Sequence, residues 1–491
     1  MRKIKTVEPI TPLFTKEELP TDWDLAPIND ICLPVDKVNP KDNPDHEFQY
    51  IDISGIDNKI LKIIQTKNYL GKDAPSRARQ LVQSGDIVFS TVRTYLRNIA
   101  RVSEKLDGQI ASTGFCVLRA VEPELKKYLF YYVQYEKFLN ELAKFQRGTS
   151  YPAVRGGDVF AQFIPVPPLK QADSIVAEIE KQFSRIDEAV ANLKRVKVNL
   201  KRYKAAVLKA AVEGKLTEEW RKQHPDVEPA SKLIERILTE RRPKWEEAEL
   251  AKMKAKGKTP KDDKWKMRYK DPGAPDIAVL PELPKGWIWV TGEQVCGFIT
   301  KGTTPAAKKL TTGDGEVQFL KVYNLTFDGS LNHTHKPAFV SRETHEGALA
   351  RSKVVAGDVL INIVGPPLGQ VSVVPLIIPE ANINQAIARY RPVAPLGTMY
   401  LAYALMAKSV IGWAISRAKT TAGQSNLTLE LCRNLPVPLP PLVEQHHIVA
   451  EVERRLSLVI EVEAQLESNL KRAERLRQSI LNKAFSGQLI N

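Results

Sequence analysis

Cysteine is scarce in this chain: Cys32, Cys116, Cys296 and Cys432 are the four in 491 residues, far apart and without a Cys-x-x-Cys pair. That argues against both a disulfide framework and a thiolate zinc site. No apolar run approaches the roughly 20 residues that a membrane-spanning helix needs. The opening MRKIKTVEPI has no signal-peptide core, so a cytoplasmic protein is expected. The Asn-Leu-Thr sequons at Asn324 and Asn426 are then chance matches. Catalytic signatures are missing as well. There is no GxxxxGK[ST] loop, and Gly365-Pro366-Pro367-Leu368-Gly369-Gln370 lacks its lysine. There is no HExxH, no acidic cluster beside His333 and His335, no GxSxG elbow and no Asn-Pro-Pro-aromatic tetrad. No catalytic or metal-binding residues are therefore expected, and the chain reads as one that binds and delegates.

What the sequence does have is positive charge and a repeat. Lys plus Arg number 72 against 57 Asp plus Glu, a formal net charge of +15, which favours a polyanionic partner. The length calls for two or more domains. Ile175-Val176-Ala177-Glu178 returns as Ile448-Val449-Ala450-Glu451, and the same offset of 273 carries LKAAVEGKLT (208–217) onto LNKAFSGQLI (481–490). Upstream the match is patchier. ELPTDWDLAPINDIC (18–32) aligns with ELPKGWIWVTGEQVC (282–296), so that Cys32 and Cys296 are expected to be buried counterparts. Segments 50–57, 76–102 and 112–119 parallel 319–326, 348–374 and 384–391. In the second of these, Arg79 meets Arg351, a pairing expected to be structural, and Gly85-Asp86 meets Gly357-Asp358, a turn feeding a short buried strand. Stretches 125–144 and 399–416 read as amphipathic helix, and both units leave through a proline-rich exit, FIPVPPL (163–169) and LPVPLPPL (435–442).

A long helix is expected after each exit. Apolar residues recur at Ile175, Ile179, Phe183, Ile186, Val190, Leu193, Val196, Leu200, Tyr203, Val207 and Ala211 in the first copy. The second places Ile448, Val452, Leu456, Val459, Val462, Leu466, Leu470, Ala473, Leu476, Ile480 and Ala484 in the same way. A helix of about 45 residues is roughly 70 Å long, more than one small domain can cover. Antiparallel pairing of the two copies, with a globular unit leading into each, is the simplest solution. Residues 217–281 fall outside the repeat. Between 241 and 270 there are twelve Lys or Arg against five Asp or Glu, with Trp245, Trp265 and Tyr269 interleaved. That segment suits either non-specific phosphate contact or docking onto a partner subunit.

Two recognition-sized units, two long helices and the phrase LKRYKAAVLKAAVEGKLTEEWR (200–221) together resemble the specificity subunit of type I restriction-modification systems. The resemblance covers nearly the whole chain. It rests on the proline-rich exit into Ile-Val-Ala-Glu in both copies, Pro-Val-Pro-Pro-Leu in the first and Pro-Val-Pro-Leu-Pro-Pro-Leu in the second, and on Gly-Lys-Leu-Thr after the first helix. STVRTYLRNIA (90–100), FLKVYNLTFDG (319–329) and NIVGPPLGQVS (362–372) also look like pieces of that family's target recognition domains. The resemblance implies two α/β target recognition domains, 1–167 and 282–441, separated by a pair of long antiparallel helices in a coiled coil, 168–216 and 442–491, with 217–281 as a basic linker. It implies a split DNA site with one half read by each domain and a spacer fixed by the helices. It also implies partners: double-stranded DNA, two modification subunits carrying S-adenosylmethionine, and ATP- and magnesium-dependent restriction subunits. No cofactor is expected in this chain.

Base readout needs paired donors or acceptors. In the first unit the candidates are Ser90, Thr91, Arg93, Thr94, Tyr95, Arg97 and Asn98, with Gln146, Arg147, Thr149 and Ser150 before the exit. In the second they are Lys321, Tyr323, Asn324, Asn362, Asn384 and Gln385, with Lys419, Thr420, Thr421, Gln424 and Asn426. Arginine and lysine among them could equally anchor phosphates. Two other readings stay open: a methyltransferase or nuclease with an unrecognised site, and a coiled-coil scaffold without base readout.

Overall fold

The computed structural model describes residues 10–421 and 423–490, with only the backbone of Thr421. The opening segment read for a signal sequence, and the ends of the 1–167 and 442–491 segments, extend outside them. The chain divides into two compact units, the first running through Arg195 and resuming at Gln465, the second comprising Val196–Ala464. The central helix (Leu169–Val212) and the C-terminal helix (Leu442–Phe485), 44 residues each, therefore each contribute one part to either unit. Within each unit the two run antiparallel. Arg477 pairs with Asp187 and covers the Phe183 ring in the first, and Lys204 reaches Glu463 at 2.7 Å in the second.

The two units repeat one sheet topology. In the first, an antiparallel sheet orders Cys32–Leu33, Phe115–Ala120, Ile87–Ser90 and Ile99–Arg101; in the second, Cys296–Lys301, Ile387–Pro392, Val359–Asn362 and Val371–Val373 take the same places. A second sheet in each has a parallel pair at its centre, Glu47–Ile51 with Ile110–Ser112 and Val317–Leu320 with Glu380–Ile383. The exit prolines lie on two-stranded ribbons, Phe163–Val166 against Asp24–Pro27 and Pro436–Leu439 against Ile288–Thr291. A two-stranded ribbon always has an outer edge, where proline costs no ladder hydrogen bond.

The repeated Gly-Asp now has a physical cause. Gly85 and Gly357 take positive φ, 89° and 86°, and the strands that follow them are buried on both faces. Asp86 accepts from the Gln83 N–H and from Arg119 Nη2 at 2.9 Å; Asp358 accepts from the Val355 N–H and from Arg391 Nη2 at 2.6 Å. The aligned arginines Arg79 and Arg351 do not share such a role. Arg79 donates to Asn39, whereas Arg351 is exposed in a short turn. The pairing with the buried aspartates belongs to Arg119 and Arg391, one strand over. Cys296 is buried as expected, but its counterpart Cys32 is only half-buried, at the edge of its sheet. Burial still pushes the Cys32 thiol up to about 12, with the field of Asp86 adding to it.

The stretches 125–144 and 399–416 are each two short helices, broken at Tyr135 and Ala407, where the backbone turns extended (ψ 126° and 124°). In the second unit the first of the two is core rather than amphipathic, with every residue from Tyr400 to Leu405 buried, while Lys408–Ile415 buries one face only. Among the described residues no single helix is long and apolar enough to cross a membrane. The long helices bury the ends of their stripes, Ile175–Phe183 with Ile480–Phe485 in the first unit and Val207–Ala211 with Ile448–Leu456 in the second. Val196, Tyr203 and Val462, expected on a covered stripe, are more than 40% exposed.

Each helix end is locked by the opening tryptophan of a repeat. Gly214 (φ 68°) caps the central helix and lies against Pro284 and Trp287; Gly487 (φ 74°) does the same for the C-terminal helix against Pro20 and Trp23. A Cβ at either glycine would run into the proline ring, and the left-handed backbone suits only glycine at low cost. The tryptophan N–H then donates to the first turn of the other helix. Trp23 Nε1 meets Gln171 Oε1 at 2.6 Å, and Trp287 Nε1 meets Glu444 Oε2 at 2.8 Å. Glu444 is fully buried and also accepts from Thr217 Oγ1 (2.7 Å) and Arg221 Nη1 (2.6 Å).

Replacing Glu444 with Ala leaves Arg221 without its counterion and three donors without an acceptor, a loss of about 3 kcal/mol. Gln171→Ala removes one neutral hydrogen bond, about 1 kcal/mol. Urea unfolding of the full-length variants should rank them in that order, and equal losses would contradict the assignment.

Candidate nucleic-acid interface

In the first unit the strand Ile87–Ser90 delivers the chain into a tight loop whose backbone is unusual. Arg93 and Arg97 both take the left-handed conformation, φ 51° and 53°, on either side of a 3-10 turn at Thr94–Leu96. Two non-glycine residues in that region within five positions mark a loop held by its surroundings, a feature concentrated at functional sites. What holds it is visible. The Arg93 N–H donates to the Pro152 carbonyl (2.7 Å), Thr91 Oγ1 and its N–H donate to Gly114 O, Ser90 Oγ donates to Val92 O, and Gln146 Nε2 donates to Thr94 Oγ1. Ser90, Thr91 and Thr94 are buried by these bonds and belong to the frame of the loop.

Arg93 is different. Its Nη2 donates to Ser150 O at 3.1 Å, and its guanidinium lies over the Tyr151 ring at 4.5 Å. Stacking fixes the plane of the guanidinium, which suits bidentate donation to a planar acceptor. Tyr151 is 70% exposed and Tyr95 61% exposed beside it. The structure thus brings 90–98 together with 147–151. Arg97 turns aside to Glu474 of the C-terminal helix (3.1 Å) and Arg147 is held by Asp158 (2.6 Å), so both are committed to ion pairs. Asn98 is half-buried, and Thr149 and Ser150 are exposed. Tyr151 was not among the residues singled out from sequence; an aromatic directly after a polar Gly-Thr-Ser stretch was the available signal.

In the second unit the same three segments pair over a greater length, Val364–Gly365, Gln424–Asn426 and Lys419–Thr421, where the first unit has the isolated antiparallel bridges Val92–Ala153 and Arg147–Ala153. Asn362 lies beneath the second unit's three strands, fully buried, donating to Pro367 O (2.5 Å) and accepting from the Gln370 N–H (2.7 Å). Asn324 is likewise internal, accepting from the Lys321 N–H and donating to the carbonyls of Asn332 and His335 at 2.9 Å. Around this frame Tyr323 is 40% exposed, with Lys321 and Lys336 about its ring at 5.9 and 6.0 Å. Gln385, Lys419, Thr420 and Gln424 are exposed, and Asn426 is half-buried. Asn384 is half-buried, its Oδ1 shielded and without a partner. Its N–H donates to Leu320 O, and Gln370 Nε2 donates to Leu325 O, so segments 320–325, 362–370, 384–385 and 419–426 adjoin.

Among the described residues one group of side chains is close enough to share a metal ion, His345 with Glu346 and Glu380. Its carboxylates are already taken, Glu346 by Lys353 and Glu380 by Arg342, and each is held below the usual carboxylate range by that partner. His345 Nδ1 faces Asn382 Oδ1 at 2.7 Å. The donor set reads as a packed ion-pair network.

Two α/β units, each with a buried frame presenting polar, aromatic and basic loops, form a candidate nucleic-acid interface. A family profile described as the type I restriction modification DNA specificity domain matches residues 20–198. The chain is 24% identical over 371 residues to the type I restriction enzyme EcoDI specificity subunit of Escherichia coli, covering 75% of this chain and 72% of that one. To the EcoBI specificity subunit of the same species it is 28% identical over 336 residues, 66% of this chain and 58% of that one. A solved structure concerned with complex assembly and conformational transition of the type I R-M system superposes with a TM-score of 0.66 at 29% identity, covering 96% of this chain and 99% of that one. The HsdS subunit from Thermoanaerobacter tengcongensis gives a TM-score of 0.51, also at 29% identity, covering 96% and 98%. These comparisons support a specificity subunit of a type I restriction-modification system, a class of subunit that recognises DNA sequence while catalysis lies in partner subunits.

Because Asn362 closes its loop from inside, Asn362→Ala should cost the second unit about 2 kcal/mol through two lost buried hydrogen bonds. Thr420→Ala, on the exposed rim, should stay within about 0.5 kcal/mol. Urea denaturation followed by tryptophan fluorescence reads both, and an unchanged midpoint for Asn362→Ala would count against its frame role.

Proposed function

We propose that the chain reads a bipartite DNA site, each unit taking one half, with the paired helices setting the unread spacer and docking the modification subunits. The observation that carries this reading is one frame bearing two different loops. Gly-Asp, the buried strand and its arginine partner recur in both units. At the end of that strand the first unit presents Arg93 on Tyr151, whereas the second has Gly365 and Pro366 at the aligned positions. A shared frame suits symmetric docking; unlike loops suit unlike half-sites. Arg93 is assigned to direct readout, with guanine as its preferred base. Tyr323, Gln385, Thr420 and Gln424 are the exposed candidates for the second half-site. Lys321 and Lys419 suit phosphate contacts that position without specifying.

Docking of modification subunits is assigned to the helices. Val196, Val198 and Tyr203 on one, and Leu458, Ile460 and Val462 on the other, are exposed apolar residues within the second unit, of the kind that interface cores cover. S-adenosylmethionine would then be carried by those subunits, and ATP and magnesium by the restriction subunits. No step of that chemistry is assigned to this chain.

Sequencing of modified adenines, in a host carrying the gene with its modification partner, tests the division between units. Arg93→Ala should relax one position of one half-site, with about 1–3 kcal/mol of discrimination lost there, and leave the other half-site as it was. Equal change in both halves would rule out modular reading.

A further inference from the structure

The segment that lies outside the repeat is a built arm rather than a slack connection. The arm helix, Ala230–Ala255, is anchored at its start: Ala230, Leu233 and Ile237 are buried in the core of the second unit, and Arg241 Nη1 donates to Cys296 O at 2.8 Å. From Pro243 to Ala255 it rises about 18 Å further, and no residue between Glu246 and Lys264 is buried. The returning chain is clasped to it. Trp265 stacks on Trp245 with centroids 6.0 Å apart, Tyr269 lies 5.4 Å from Trp245, and Arg242 and Lys266 sit over the Tyr269 and Trp265 rings, each at 5.9 Å. The aromatics that looked from sequence like candidate contacts are the clasp that gives the arm a fixed base.

The arm's outer surface is dominated by positive charge. Residues 250–270 hold nine Lys or Arg against two Asp, within a chain whose whole net charge is +15. Lys252, Lys264 and Lys266 are paired with carboxylates. Lys254, Lys256, Lys258, Lys261, Arg268 and Lys270 are exposed and have no acidic partner among the described residues. Holding six uncompensated cations on one projection costs self-repulsion, which a polyanion would relieve.

We infer that this arm is a sequence-independent phosphate grip for duplex DNA, acting outside the base-reading loops. Its composition favours DNA over a protein partner. Protein interfaces are depleted in lysine at their cores and rely on apolar and aromatic anchors. Here Trp245 and Trp265 are turned inward, and Leu250 and Met267 are the only large apolar residues exposed on the arm. Lysine ammonium groups are point charges that suit phosphates, which a duplex presents about every 1.7 Å of its axis. Its attachment separates it from the readout. The arm is fixed at the Cys296 end of the strand Cys296–Lys301, whereas the Asn384–Gln385 loop abuts the other end, where the Gly302 N–H donates to Ile387 O. Six strand residues place those points about 17 Å apart. The phosphates gripped are therefore different from those beside the bases read.

The test is the salt dependence of binding by the full-length chain to a random-sequence 40-base-pair duplex, wild type against Lys254→Ala/Lys256→Ala/Lys258→Ala/Lys261→Ala. Each phosphate contact contributes a slope of about −0.9 in log K against log salt. The fourfold alanine variant should flatten the slope by roughly three to four units and weaken binding roughly tenfold or more near 0.1 M salt. The fourfold arginine variant should keep the slope, and the adenine motif modified by the assembled complex should be the same for all three. An unchanged slope overturns the inference. So does a variant that keeps its slope but no longer assembles with modification subunits, which would assign the arm to a protein partner. Because the duplex is random, the result does not depend on whether two half-sites are read.

Discussion

The architecture depends on a buried carboxylate at a crossing of three segments. Glu444, in the first turn of the C-terminal helix, gathers Thr217 and Arg221, just past the end of the central helix, and Trp287, which opens the second recognition unit. None of these partners is within 150 residues of it in sequence. A charge with no exposure is tolerable only when each of its oxygens is satisfied, so the site fixes helix end, helix start and recognition unit together. The first unit makes the same crossing with Gln171, Trp23 and the Gly487 cap. There a neutral amide is enough, because no arginine is brought to it.

From that crossing the division between frame and loop follows. In each unit a glycine at positive φ, an aspartate closing its own turn and an arginine from the neighbouring strand build one rigid corner. Loops leaving a rigid corner can differ in length and chemistry without disturbing the sheet. Arg93 on Tyr151 and, at the aligned positions of the second unit, Gly365 and Pro366 are two such outcomes. In the second unit a further arginine, Arg389, is buried on Phe298 at 4.9 Å, and desolvation, with Arg391 beside it, pulls it down to about 10. No counterpart exists at the aligned Val117, so even the frames carry local differences.

Much of this was legible in the chain. The 273-residue offset, the Gly-Asp turns, the proline exits and the helical stripes reflect backbone geometry, and backbone geometry restricts residue type. What was hidden lies in side-chain partnership. Polarity alone does not say whether an amide faces solvent or closes a loop from inside, and Asn324, Asn362, Ser90 and Thr94 are all turned inward. The Arg79–Arg351 alignment drew attention to position rather than contact, while Arg119 and Arg391 held the carboxylates. Tyr151 and the Trp245–Trp265 clasp became visible only when residues distant in sequence met.

The central claim is that one frame, used twice, carries two independent readings. Single-molecule sequencing of modified adenines, in a host given the unaltered gene and its modification partner, tests it most directly. The account predicts a single motif of two short specified blocks around an unspecified spacer of fixed length, with an adenine modified in each block. One uninterrupted motif, or modification without sequence preference, would contradict it.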